Sequence, residues 1–145
     1  MSKTLEEWIE IYNRKAKTEF KPDEKFTLVY RPDKGFCELS CDEDKILVGA
    51  VSGDGKFWKS FAENVARLMS REYCGTTCVR KEIRAYIRLF RHKIETIDEN
   101  KNLHGILTKD KDGNFAFLAE TIFENGEHGY KILWQVPKVV TENEI

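Results

Sequence analysis

Residues 46–79 constrain this chain more than any other stretch. Residues 46–51 (ILVGAV) form a continuous apolar run. Such a run suits a strand covered on both faces. Ser52-Gly53-Asp54-Gly55 interrupts it. Residues 56–71 then place Trp58, Phe61, Ala62, Val65, Leu68 and Met69 along one face of a helix. Asp54 or Ser52 stands where an N-cap is wanted. Residues 74–79, rich in Thr, Cys and Val, read as a second strand. A strand–helix–strand connection of this length predicts a parallel pair joined by a right-handed crossover.

The flanking segments supply more strands. Leu5, Trp8, Ile9 and Tyr12 recur at helical spacing over residues 4–20, and Thr4 with Glu7 has the spacing of a capping box. Pro22 and Asp23 end that helix. Residues 26–30 and 36–40 read as strands around the turn Arg31-Pro32-Asp33-Lys34-Gly35, and residues 41–44 form a second polar turn. Past residue 79, residues 82–90 predict a shorter helix with Ile83, Tyr86, Ile87 and Phe90 inward, followed by a strand at 93–97. Strands at 103–108, 115–123 and 130–136 follow, the last two joined by an Asn125-Gly126 reversal. The expected fold class is α/β in the α+β sense: a mixed sheet with helices on its faces. At 145 residues the chain fits one domain. That domain is expected over residues 1–138, centred on 46–97, with a frayed tail at 139–145.

Charge and composition narrow the partners. The net charge of −1 gives no global field toward DNA or an anionic membrane. No apolar run approaches the roughly 18 residues a spanning helix needs, and residues 1–15 lack the apolar core of a signal peptide. The expectation is a cytoplasmic protein with no membrane contact. Cys37, Cys41, Cys74 and Cys78 form two C-x-x-x-C pairs in strand-like segments. Residues four apart on a strand lie about 13 Å apart, too far to share a zinc ion. Reduced, buried thiols and no metal are therefore expected. His92, His104 and His128 share no ligand spacing.

The junction at residues 51–57 is where a ligand would bind. A buried strand ends, Gly53 and Gly55 follow, and a helix begins. Helix starts expose unpaired N–H groups and positive dipole ends, and glycines let a phosphate come close. Lys56 adds charge. The P-loop pattern is absent, since Phe57 stands where Ser or Thr is needed. The plain alternative is a turn that ends a strand and caps a helix, and the Asp54 carboxylate would repel an anion. Arg80, Lys81, Arg84, Arg88, Arg91 and Lys93 form a basic cluster. Arg84, Arg88 and Arg91 share a helix face that would bind nucleic acid or another phosphate-rich partner, or simply face solvent. Glu120, set in an apolar strand, reads as a general base or as an outward-facing residue.

The order of these elements resembles the GNAT-type N-acetyltransferase fold. Residues 46–51 resemble its central strand. Ala50-Val51-Ser52-Gly53-Asp54-Gly55 resembles its acetyl-CoA motif [Q/R]-x-x-G-x-[G/A], with Ala50 in place of Gln or Arg. Residues 56–71 resemble the long helix that follows. Small GNAT-like proteins encoded by bacteriophages are similar over GDGKFWKSFAENVARL and TTCVRKEIRAYIRLFRHKI.

The resemblance implies acetyl-CoA as cofactor, its pyrophosphate at Ser52, Gly53, Asp54, Gly55, Lys56 and Phe57, and its thioester oriented by Ala50 and Val51. It implies N-acetyl transfer, with an amine attacking the thioester. The family's acid is a tyrosine near the end of the second helix. Here Tyr86 lies one turn early, and Phe90 has no proton to give. The alternative is a catalytically silent, GNAT-like phage protein that binds a host protein, in the manner of an anti-defence factor, or nucleic acid.

Overall fold

Thr4 and Glu7 start the first helix, α1 (Leu5–Ala16), by a reciprocal box. The Glu7 amide donates to Thr4 Oγ1 and the Thr4 amide to Glu7 Oε1, each at 3.1 Å. In the computed structural model, which describes residues 2–79, 106–109 and 113–138, α1 stops short of the predicted residue 20. Lys17 takes a left-handed conformation (φ 53°). The chain then folds back, so that the Phe20 ring lies 5.8 Å from Tyr12 and 5.1 Å from Phe36. Burying that aromatic trio outweighs another helical turn.

Seven strands form one mixed sheet: β1 (Thr27–Arg31), β2 (Gly35–Cys41), β3 (Lys45–Gly53), β4 (Tyr73–Val79), β5 (Ile106–Lys109), β6 (Phe115–Ile122) and β7 (His128–Gln135). Their order is β1-β2-β3-β4-β7-β6-β5. β3 and β4 are parallel, connected through α2 (Gly55–Leu68), and every other neighbouring pair is antiparallel. The mixed sheet and its crossover therefore agree with the fold class expected. The last strand enters the middle of the sheet, so β4 and β6 both pair with β7 rather than with each other.

Alternation along β2 sends consecutive side chains to opposite faces. Phe36 and Ser52 look toward α1, where the Ser52 hydroxyl donates to the Trp8 carbonyl at 2.8 Å. Cys37, Leu39, Ile46, Cys74, Ile132 and Trp134 look toward α2 and meet Trp58, Ala62 and Ala66 in the main core. Residues 46–51 thus lie between two helices, although residues 47–51 are only half-buried. Trp58, Phe36, Ile46 and Ile132 are fully buried, each contributing about 1.5–3 kcal/mol.

Leu68 and Met69 depart from expectation. They lie on the surface, Leu68 at 85% exposure, because α2 ends there and Ser70 turns left-handed (φ 56°). Cys41 is likewise exposed rather than buried. Strand ends differ from expectation by up to three residues. The predicted helix at 82–90, the strand at 93–97 and the tail at 139–145 fall outside the described residues, as do Tyr86 and Arg80, Lys81, Arg84, Arg88, Arg91 and Lys93. Among the described residues no helix is long and apolar enough to cross a membrane.

Candidate functional site

The β3–α2 junction is built by two chain reversals crossing closely. The turn between β1 and β2 presents the Lys34 carbonyl, which accepts from the Asp54 amide and from Trp58 Nε1, each at 2.9 Å. Gly53 sits at φ +101°, and a Cβ there would lie 2.2 Å from the Lys34 oxygen. Gly35, at φ +107°, would bring a Cβ to 1.8 Å from the Ser52 oxygen. Both glycines serve this crossing of two backbones.

Asp54 is the N-cap of α2, as the sequence suggested. Its Oδ1 accepts from the Phe57 amide at 3.1 Å, and its Oδ2 pairs with Lys34 Nζ at 3.4 Å. The Phe57 amide, more than the lysine beside it, holds this carboxyl below its ordinary pKa, and the Lys56 amide adds to the effect. The side chain therefore stays ionised where a phosphate oxygen would have to sit. Trp58 packs edge-on against Phe57, at 4.9 Å and 81°. Arg31 and Lys34 stand 5.0 and 5.6 Å above the Phe57 ring. The turn is closed by its own carboxylate and rests on packed aromatics. Ala50, Val51, Ser52, Gly53, Asp54, Gly55, Lys56 and Phe57 come together as one strand end and one helix start.

A second feature lies one turn of chain earlier. Pairing between β2 and β3 steps from Cys37↔Val51 to Leu39↔Val48, so Glu38 alone opposes Gly49 and Ala50. That is a β-bulge. Glu38 is buried, and its Oε1 accepts from the Ala50 amide at 3.1 Å. A Cβ on Gly49 would meet Glu38 Oε1 at 3.0 Å and the Phe26 ring at 3.2 Å, so a glycine leaves room for the carboxylate. Beside the bulge, β3 and β4 are paired only from Lys45↔Tyr73 to Leu47↔Gly75, and the Thr76 hydroxyl then donates to the Val48 carbonyl at 3.0 Å. Beyond that bridge no ladder pair joins the two strands.

A second buried carboxylate, Glu63 on α2, accepts from Lys59 Nζ at 2.9 Å and from Trp134 Nε1 at 3.0 Å through the same oxygen. It ties α2 to β7. Sequence reading passed over Glu38 and Glu63. Their only signal was a lone carboxylate inside otherwise apolar segments. Burial pushes the Cys37 and Cys74 thiols up to about 12, so both are protonated and poor nucleophiles. Glu120 is exposed on β6 opposite Tyr130. It borders a hollow of about 30 Å³ shared with Thr121, His128, Gly129 and Tyr130, room for little more than a water molecule. No cluster of three or more metal-ligating side chains occurs among the described residues. No protein-family model, curated protein or solved structure matches the chain.

Proposed function

We propose that this chain is a catalytically silent protein with a GNAT-like body that acts by binding another protein, a host protein if the chain is phage encoded. One observation carries this reading: the Asp54 carboxylate occupies the start of α2 and accepts the Phe57 amide. Coenzyme A would need that amide and its neighbours free for its pyrophosphate. It would instead meet a fixed negative charge. Ala50 in place of a Gln or Arg points the same way.

A second reading, acetyl-CoA-dependent N-acetyl transfer, draws support from the bulge at Gly49 and Ala50 and from the short parallel pairing of β3 with β4. There a pantetheine arm would run between the parting strands, and an amine would attack the thioester. Glu38 is the carboxylate nearest that point, but it is buried and already accepts the Ala50 amide.

Isothermal titration of the full chain with coenzyme A separates the two readings. The silent reading expects no saturable heat at high micromolar ligand. Saturable binding, lost when Gly53 is replaced, would overturn it in favour of the second.

A further inference from the structure

β1 forms one edge of the sheet, and among the described residues only β2 pairs with it. Exposed edges in native proteins are guarded by prolines, bulges, or inward or lysine charges. β1 (TLVYR) carries no Pro and no bulge, and no charge before Arg31. Alternate backbone N–H and C=O groups of an edge strand point outward without a partner in the sheet.

The surface beside this edge is also apolar. α2 packs over β2, β3 and β4. On its β1 side it shows a ridge of Phe57, Phe61 and Leu68. Arg31 lying over the Phe57 ring fixes that side, as Glu63 reaching Trp134 fixes the other. Phe57 and Phe61 are stacked at 6.2 Å, and Leu68 projects almost wholly into solvent. Val29, half-buried, lies at the margin of the core.

The sequence of β1 suits a second copy of itself. Antiparallel pairing about Val29 sets Leu28 opposite Tyr30 and Thr27 opposite Arg31 of the other copy. Extended past the strand ends, the same register aligns Lys25 with Asp33 and Glu24 with Lys34. No position faces a like charge. We propose that the chain self-associates as a two-fold dimer through β1, in one continuous sheet with both α2 ridges on the same face. Isologous pairing of this kind closes on itself, so it yields a dimer rather than a fibre. The inference is independent of whether coenzyme A binds.

Sedimentation velocity across the micromolar range tests it, using the full chain and two variants at the exposed Thr27. Thr27→Glu places a carboxylate opposite Arg31 twice per dimer and should tighten association about 3- to 10-fold. Thr27→Lys places like charges there and should weaken it by a similar factor. Circular dichroism checks that both variants keep the fold. A chain that stays monomeric throughout overturns the proposal. So does a dimer whose dissociation constant is unmoved by the two variants, or moved by both in the same direction.

Discussion

Asp54 makes three contacts at once: it accepts the Phe57 amide, pairs with Lys34 and gives its own amide to the Lys34 carbonyl. Asp54→Ala should destabilise the protein by about 1 kcal/mol, the usual worth of an N-cap, read from urea unfolding. Its pKa is lowered in the fold. The stability it contributes is therefore fully present above the unfolded carboxylate value and lost as pH falls through the lowered folded one. Asp54→Asn should flatten that acid limb of the stability profile. The buried thiols run the other way. Cys37 and Cys74, raised to about 12, stabilise fully below the ordinary thiol value near 9 and lose that contribution as pH climbs toward 12. Iodoacetamide at neutral pH should label exposed Cys41 first, and Cys37 and Cys74 only as the protein unfolds. Labelling of all three at one rate would contradict their placement. The Asp54 cap and the Thr4–Glu7 box were legible in the sequence because each closes within three residues. Glu38 and Glu63 were not, since their partners Ala50 and Trp134 lie 12 and 71 residues away.

Among the elements, α2 and its entry turn decide the junction. Gly53→Ala adds a Cβ at 2.2 Å from a backbone oxygen and at positive φ. It should cost well over 1 kcal/mol. Gly126, at φ +82° but with nothing within 4 Å, should lose less on the same change, since only backbone strain remains. Comparing the two urea midpoints separates crowding from conformation. Periodicity located α2 and the β3–β4 crossover well, because a change from continuous to 3.6-residue apolar spacing is a local signal. It overran both helix ends. Lys17 and Ser70 take left-handed turns without the Gly or Asn that usually marks one. For the same reason Leu68 and Met69 read as buried: their spacing continues the stripe past the point where the helix leaves the sheet.

At the scale of the whole molecule, the sheet explains why a ligand motif can be present and yet closed. The strand–turn–helix unit alone resembles an anion cradle. The β1–β2 turn then passes over it, and Lys34 supplies both a carbonyl and a cation to that unit. Strand order carried no such local signal: nothing in residues 128–135 announces that β7 enters between β4 and β6. The central claim is that the start of α2 is closed by Asp54. The most direct measurement follows the backbone amides of Gly53, Gly55, Lys56 and Phe57 by ¹⁵N–¹H NMR while coenzyme A is added. The claim predicts that these four signals stay in place to high micromolar ligand. A saturable shift of the same four would contradict it and reopen the junction as a pyrophosphate site.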